Sequence, residues 1–407
     1  MEKDVFPFVI IGHVDHGKST LIGRILLDTG CLPQSIANEL ADAGADGQLQ
    51  LAHISDHFRE ERDRGITIDT SQRFFETSGR RYVIIDAPGH KEFLKNMLSG
   101  ASMAEGAVLI VDAAEGIMDQ TYRHAYLVSL IGIRQVIVAV NKMDAVGWSQ
   151  ERFNQISAQL DELFKRLNIR HETLIPLSAL QGDNVVSRSP HMNWYQGPSL
   201  LEALERLTAR GISGMGLRFA VQDRYDFPAN GPYIVGRVEA GILKEGQEVV
   251  CLPEGRKDRI TSIEKFGVGQ TGSAGPEECV AIKTEAMNKL RRGEVLTGKA
   301  DGMTVSDRVK CRVFWLSPHA GRVNAPLSFR CATQTIPCAM ESIGNIFDPG
   351  SLEPLRETAD GIHESHVADI VLKLETNAAF DHFGEVPATG RLVLEKGDET
   401  VAAGIII

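Results

Sequence analysis

The 407-residue sequence contains no apolar run that approaches the roughly 20 residues needed to cross a bilayer. Its first residues, Met1 to Asp4, carry charges of both signs and lack the apolar core of a signal peptide. Hydrophobic residues make up 43% of the chain and charged residues 24%, which at this length is typical of a globular protein with two or three domains. We therefore expect a soluble, cytoplasmic protein.

Paired cysteines and an excess of positive charge are also missing. The six cysteines are scattered without a C-x-x-C pair. Cys331 and Cys338 are close enough in sequence for a disulfide or half a metal site, but reduced, buried thiols are the usual state in a cytosolic chain. The net charge of −11 argues against a protein that coats nucleic acid non-specifically. Two small clusters of basic residues, 256–259 and 289–292, could form a local basic groove, although such clusters are more often solvated surface.

The order of apolar runs predicts the fold. Strands are expected at Val5–Ile11, Ile66–Glu76, Tyr82–Asp86, Ala107–Asp112, Gln135–Val140 and Thr173–Leu177. Helices are expected at Lys18–Leu27, Lys91–Ala101, Gln120–Leu130, Ser149–Leu167 and Ser199–Leu207. This alternation predicts a mostly parallel α/β sheet with helices on both faces in a domain spanning 1–210. Short strands punctuated by Gly and Pro then predict two β-barrel domains, at 217–304 and 305–407.

The segment from Gly12 to Ser19 matches the phosphate-loop pattern G-x-x-x-x-G-K-[ST], with a predicted strand before it and a helix after it. Glycines allow backbone N–H groups to turn toward a phosphate. The Lys18 ammonium would neutralise the β- and γ-phosphates, and the Ser19 hydroxyl would bind Mg²⁺. A turn that binds no ligand is the alternative, and the strand–loop–helix context disfavours it.

Three further motifs follow predicted strands. Asp86 can hold Mg²⁺ through water, and the Gly89 N–H can reach a γ-phosphate. In Asn141-Lys142-Met143-Asp144, a carboxylate can accept from both N1–H and N2–H₂ of guanine, which adenine does not offer. A backbone N–H in Ser178-Ala179-Leu180 could reach guanine O6. Thr67, between the phosphate loop and Asp86, could bind Mg²⁺ and the γ-phosphate and release them after hydrolysis.

Together these motifs resemble the translation-factor class of GTPases over essentially the whole chain. The resemblance implies GTP or GDP and Mg²⁺ as ligands and a GTP-binding domain followed by two barrels. It implies that the phosphates and the metal are surrounded by loop residues, namely Val14, Asp15, His16, Gly17, Lys18, Ser19 and Thr20. It also implies that Thr67 and Gly89 sense the γ-phosphate, that Ser19, Thr67 and Asp86 serve the metal, and that Asn141, Lys142, Asp144, Ser178, Ala179 and Leu180 hold guanine. His90 occupies the position of the histidine that orients the attacking water, with Lys18 and Thr67 as the other catalytic candidates.

Two branches of this class compete. The stretches "GIMDQTYRHAYLVSLIGIRQVIVAVNKMD", "PLSALQGDNVVSRSPHMNWYQGPSLLEAL" and "CRVFWLS" look like the GTPase subunit of sulfate adenylyltransferase. That subunit partners a smaller one that makes adenylyl sulfate from ATP and sulfate. His13, His16 and Ala87 instead match the residues that elongation factor Tu and elongation factor 1-alpha have at these motif positions. Those proteins deliver aminoacyl-tRNA to the ribosome. We expect the sulfate-activating branch, with GTP hydrolysis coupled to the partner's reaction. The alternatives are an elongation-factor GTPase and a GTP-switched scaffold.

Overall fold

The computed structural model describes residues 5–32, 71–86, 104–167, 171–208, 214–227, 231–286, 290–298, 302–351, 353–355 and 361–407. The chain divides into two compact units. One comprises Met1–Ala209 with Pro349–Ser351, and the other comprises Arg210–Asp348 with Leu352–Ile407.

The first unit is built on a six-stranded sheet. Its strands are β1 (Val5–Gly12), β2 (Ser71–Glu76), β3 (Arg81–Asp86), β4 (Gly106–Asp112), β5 (Gln135–Asn141) and β6 (His171–Pro176), in the spatial order β2-β3-β1-β4-β5-β6. Only β2 is antiparallel to its neighbour. Every residue of β4 is buried, because a central parallel strand is covered on both faces. The predicted mostly parallel sheet is confirmed.

Helices of this unit are α1 (Lys18–Asp28), α2 (Asp119–Leu130), α3 (Gln150–Leu167) and α4 (Leu200–Arg206), with a 3₁₀ turn at Met143–Val146. The α3 sequence places its apolar residues on one face, so Ile156, Leu160 and Phe164 are buried. Ser199 caps α4: its hydroxyl accepts the Glu202 N–H at 3.2 Å, and the Glu202 carboxylate accepts the Ser199 N–H at 2.9 Å. The predicted helix at Lys91–Ala101 and the first five residues of the predicted strand Ile66–Glu76 lie outside the described residues, and the rest of that strand is β2.

The second unit contains two barrels. The first barrel has strands β7 (Arg218–Phe227), β8 (Gly231–Ala240), β9 (Leu243–Lys244), β10 (Glu248–Leu252), β11 (Arg256–Lys265), β12 (Gly269–Thr271), β13 (Ser273–Ala274), β14 (Cys279–Thr284) and β15 (Val295–Gly298). Pairing in the order β10-β15-β7-β8-β14-β11 and back to β10 closes a ring of six strands. β12 extends β11, and β9 pairs with β13.

The second barrel is formed by the rest of the chain. Its strands are β16 (Thr304–Trp315), β17 (Pro326–Cys331), β18 (Gln334–Phe347), β19 (Val367–Phe380), β20 (Arg391–Lys396) and β21 (Glu399–Ile406), and a short helix, α5 (Pro387–Gly390), precedes β20. The closed order is β16-β19-β18-β17-β20-β21. Each barrel encloses its own apolar core, so the expectation of two barrels after the α/β sheet is confirmed.

A buried ion pair joins the two barrels. Arg218, the first residue of β7, donates from Nε and Nη2 to the two carboxylate oxygens of Asp381 at 2.8 and 2.7 Å. Both side chains are at most 4% exposed. Arg218 also donates to the Gly302 carbonyl, and the Thr389 hydroxyl donates to Asp381. Because planar bidentate pairs fix two groups in one orientation, this contact fixes the ends of two strands from different barrels.

All six cysteines are free thiols. Burial raises the pKa of Cys331 to about 12 and that of Cys338 to about 11. Cys31 and Cys279 are exposed. No helix in the described part of the chain is both long and apolar enough to cross a bilayer.

Candidate functional site

The phosphate loop connects the end of β1 to the start of α1. Gly17, at the N-terminus of α1, has a left-handed φ of 93°, and a Cβ there would lie 2.5 Å from Asn141 Nδ2. Only glycine fits this conformation and this space. Gly17 has no side chain to cap the first turn of α1, so the N–H groups of that turn can serve an anion. This cradle fits the phosphates of a nucleotide.

Lys18 supplies a buried cation inside the loop. Its Nζ donates to the carbonyl oxygens of Gly12 at 3.0 Å and His13 at 2.9 Å. Burial lowers the pKa of Lys18 to about 8, against the attraction of Asp86 and Asp15, which acts to raise it. Two backbone carbonyls therefore orient an ammonium where phosphate charge needs neutralising.

Asp86 is the last residue of β3, pairs in register with Ile10 of β1, and is 1% exposed. It lies at the carboxyl edge of the sheet beside the phosphate loop, which is the usual ligand edge of such sheets. Ser19 and Thr20 are in the first turn of α1, with half-buried side chains. A hydroxyl and a carboxylate at this edge suit Mg²⁺, which prefers oxygen ligands.

Other predicted loop residues have different surroundings. Val14 is half-buried, and Asp15 is exposed with a left-handed φ of 62°. Thr67, Gly89 and His90 lie outside the described residues. Their roles in sensing the γ-phosphate and orienting water therefore stay predictions.

His16 is held by the sheet through its ring. The ring is fully buried, with Nε2 3.2 Å from a Glu115 carboxylate oxygen and Nδ1 3.3 Å from the Asp112 N–H. Burial lowers the pKa of His16, which favours the neutral ring. A neutral ring with its proton on Nε2 donates to Glu115 and accepts from the Asp112 N–H at Nδ1, and it gives no proton to the Ile110 carbonyl, 3.4 Å from Nδ1. His16 thus fastens the phosphate loop to β4 through its ring, which the loop pattern alone did not reveal.

Asn141, at the end of β5, links two predicted binding segments. Its Nδ2 donates to the His16 carbonyl at 2.9 Å, and its Oδ1 accepts the Ala179 N–H at 2.9 Å. One amide therefore holds the phosphate loop and the Ser178–Leu180 turn together. Ser178 and Ala179 are buried, and Leu180 is half-buried.

Lys142 follows with a left-handed φ of 61°, and its Nζ lies 2.7 Å from Asp112 Oδ2. Burial acts to raise the pKa of Asp112, but the Lys142 ion pair and the N–H groups of Ala114 and Glu115 outweigh it and hold this pKa below its usual range. Asp112 was missed at the sequence level. The available signal was its place at the end of the apolar strand β4, at the same sheet edge as Asp86.

Asp144 lies in the 3₁₀ turn after Lys142. Its Oδ1 is buried and has no hydrogen-bond partner in the structure. A buried acceptor without a donor costs free energy. Guanine offers adjacent N1–H and N2–H₂ donors that suit such a carboxylate. The donor set of this pocket therefore fits a guanine nucleotide.

Comparison with known proteins identifies the class. The family model described as "Elongation factor Tu GTP binding domain" matches residues 3–210, and "GTP-eEF1A C-terminal domain-like" matches residues 308–407. Elongation factor 1-alpha of Pyrococcus woesei is 37% identical over all of this chain and 97% of its own. The protein of the same name from Pyrococcus furiosus is 36% identical, covering 100% and 98%, and that from Thermoplasma volcanium is 35% identical, covering 99% and 97%.

The expected assignment to sulfate activation is wrong. The full-length relatives named above are elongation factors 1-alpha, and both family models describe the same class. The stretches that suggested a sulfate adenylyltransferase subunit lie in α2, β5, α4 and β16, and they include the Asn141–Asp144 and Ser178–Leu180 segments. Those elements form the sheet, its covering helices and a barrel, and the two segments belong to the predicted guanine site, so these sequences report what the whole class shares and do not separate its branches. The residues His13 and His16 of the phosphate loop, which resemble those of elongation factors, indicated the correct branch.

Proposed function

Because this chain belongs to the elongation factor Tu and elongation factor 1-alpha family of GTPases, we propose that it carries aminoacyl-tRNA to the ribosome. In this proposal GTP hydrolysis times the release of the tRNA. The support is the full-length similarity to proteins named elongation factor 1-alpha. The same proposal puts the chain in the cytoplasm, with aminoacyl-tRNA and the ribosome as partners.

The residues of the GTP site have separate roles in the proposed reaction. Lys18 holds positive charge against the β- and γ-phosphates, and Asp144 selects guanine. Ser19 and Asp86 would hold Mg²⁺, which when bound neutralises charge that develops on the phosphate oxygens. We assign orientation of the attacking water to His90 and the Thr67 backbone.

The structural observation that carries the tRNA proposal is a cavity in the barrel unit. It has a volume of about 770 Å³ and is lined mainly by β7, β8, β11 and β14, with Ala332 and Thr333 from the second barrel. Phe266, at its rim, is 100% exposed. A fully exposed aromatic ring beside a cavity of this size suits an unstacked base, because every base can stack on an aromatic face.

Polar groups in the cavity add recognition. Glu264 Oε1 accepts from the Tyr233 hydroxyl at 2.7 Å, which orients its carboxylate. Arg237 and Lys265 also line the cavity, but Lys265 is paired with Glu278 and Arg237 lies 3.7 Å from Glu277. An oriented carboxylate and an exposed aromatic ring together suit the unpaired 3′ end of an RNA, which exposes a 2′-hydroxyl and base edges.

One predicted basic cluster does not provide this recognition. Arg256 is paired with Glu254 and Glu294, and Arg259 lies 3.0 Å from Glu248. Their charge is neutralised locally, so this cluster does not supply a basic surface for the phosphates of an RNA.

Protection of the aminoacyl ester tests the proposal. Aminoacyl-tRNA is incubated with the full chain and Mg²⁺, with GTP or GDP, and the rate of ester hydrolysis is measured. The expected result is slower hydrolysis with GTP and little change with GDP. Equal hydrolysis rates with and without the protein would reject tRNA delivery and favour the scaffold alternative.

Two variants separate the cavity from the rest of the surface. Phe266→Ala is expected to weaken aminoacyl-tRNA binding by about 1–3 kcal/mol, or roughly 5- to 150-fold, through lost stacking. Val268→Ala is the matched control, because Val268 is an exposed apolar residue of the same turn, 68% exposed. In a Cys31→Ser background, bound aminoacyl-tRNA should also protect Cys279, an exposed thiol that lines the cavity, from alkylation.

A further inference from the structure

Arg24, on the second turn of α1, reaches the turn that follows β6. Its Nε donates to the Ala179 carbonyl at 3.1 Å, and its Nη2 donates to the Leu180 carbonyl. Its Nη1 lies 3.4 Å from Asp28 Oδ1. The Arg24 side chain is only 12% exposed. These contacts tie a helix that begins in the phosphate loop to the turn predicted to face the base.

The contacts fix the orientation of one peptide plane. In a trans peptide the carbonyl and the following N–H point in opposite directions. Arg24 holds the Ala179 carbonyl, so the Leu180 N–H points away from α1. The neighbouring N–H groups have other acceptors: Ala179 donates to Asn141 Oδ1 at 2.9 Å, and Gln181 donates to Ser178 Oγ at 3.1 Å.

We propose that Arg24 is a positioning residue for guanine recognition, which fixes the Ala179–Leu180 peptide so that the Leu180 N–H donates to guanine O6. The planar guanidinium suits this task, because its fork of donors can hold two neighbouring carbonyls in one geometry. Asp28 keeps the fork in place from one helical turn away. Since α1 also carries Lys18, the same helix sets the spacing between the phosphates and the base.

The proposal rests on the guanine roles of Asp144 and the Ser178–Leu180 turn and is independent of tRNA delivery. It concerns the O6 contact, whereas Asp144 addresses N1–H and N2–H₂. The two contacts can be tested with different nucleotides. 6-Thio-GDP replaces O6 by a poor acceptor, and IDP lacks the N2 amino group.

Dissociation constants for GDP, 6-thio-GDP and IDP are measured on the full chain and on Arg24→Met and Arg24→Lys. The native chain is expected to bind 6-thio-GDP about fivefold more weakly than GDP, for one lost hydrogen bond. In Arg24→Met that ratio should fall to about one, while the ratio of IDP to GDP stays at its native value. Arg24→Lys should lie between the two, because one ammonium cannot reproduce the fork.

Arg81→Gln is the matched control, because Arg81 forms an exposed ion pair with Glu76 on the β2–β3 hairpin. Both ratios should be native in this variant. If Arg24→Met and Arg24→Lys lower the affinities for GDP and 6-thio-GDP by the same factor, or keep the native ratio, Arg24 is only structural and the inference is overturned. If the native chain binds IDP and GDP equally, the guanine site itself has been assigned wrongly.

Discussion

The Asn141 side-chain amide donates to the His16 carbonyl at 2.9 Å, across 125 residues of sequence. The acceptor belongs to the phosphate loop, and the donor belongs to the segment predicted to read the base. A displacement of one is therefore transmitted to the other. This contact makes the phosphate and base segments one network, which several substitutions can test.

Gly17→Ala should damage this network directly. The new Cβ would lie 2.5 Å from Asn141 Nδ2, and the alanine would have to adopt a left-handed φ of 93°. We expect GDP affinity to fall by at least tenfold, because the Asn141 amide must move. Gly30→Ala is the control, since Gly30 also has a left-handed φ, of 68°, but no described atom lies within 4 Å of a Cβ built there. That variant should lose about 1 kcal/mol of stability and bind GDP normally, as measured by calorimetry. Native GDP binding by Gly17→Ala would contradict the network.

Asp144→Asn should change the base that the site accepts. The substitution replaces the buried acceptor with an amide, and two hydrogen bonds to a charged group are lost. We expect a cost of about 3 kcal/mol for GDP, or roughly 150-fold, with a gain for xanthosine diphosphate, whose C2 oxygen accepts from the amide. Competition binding measures both constants. An unchanged preference for GDP over XDP would remove Asp144 from the base site.

His124 should make the GTP-binding unit sensitive to acid. Its ring is fully buried and has no hydrogen-bond partner among the residues that the structure describes. Burial lowers the pKa of His124 to about 3, and the nearby cations Lys18 and Arg123 act in the same direction. Below about pH 6.5 His124 therefore binds a proton in the unfolded chain but not in the folded chain. Stability is complete above pH 6.5 and is lost as the pH falls toward 3.

Between pH 7 and pH 5 this effect is worth about 2 kcal/mol, taken as 1.36 kcal/mol per unit over the 1.5 units below 6.5. In urea unfolding, the free energy of unfolding of His124→Leu should fall by about 2 kcal/mol less than that of the native chain between pH 7 and pH 5. His191→Leu, at an exposed histidine, should lose as much as the native chain. Equal pH dependence in the native and His124→Leu proteins would show that His124 is protonated in the fold.

The Arg218–Asp381 pair should respond differently to single and double substitution. Removing one partner leaves a buried charge, so Arg218→Met or Asp381→Leu alone should cost about 3–5 kcal/mol. The double variant should recover most of that loss. A double-mutant cycle on the unfolding of the barrels measures the coupling, with GDP affinity as the control that should stay native. Additive costs would mean that the two side chains do not act as a pair.

The sequence predicted the architecture well because its signals are local. The strand β4 is a continuous apolar run, and the helix α3 repeats apolar residues on one face. Each pattern predicts its secondary structure from the segment's own sequence. The phosphate loop is also read locally, because Gly17 and Lys18 are needed by the same turn. The order of these local signals was enough to predict one α/β sheet and two barrels.

Contacts between distant segments were beyond the sequence. Nothing local announces that the His16 ring is fixed by Asp112 and Glu115, or that Arg24 reaches two carbonyls more than 150 residues away. The branch of the family was also misjudged. Similar stretches in buried elements carry information about packing, whereas function resides in sites that the fold displays.

The ion pair between Arg218 and Asp381 also limits how this sequence can drift. A change at either position alone leaves an uncompensated charge in a dry interface, and a lineage carrying it would be at a disadvantage until the second change arrived. The two positions, 163 residues apart, should therefore vary together or not at all among homologues. Paired variation of this kind would show that the contact between the two barrels is kept across the family.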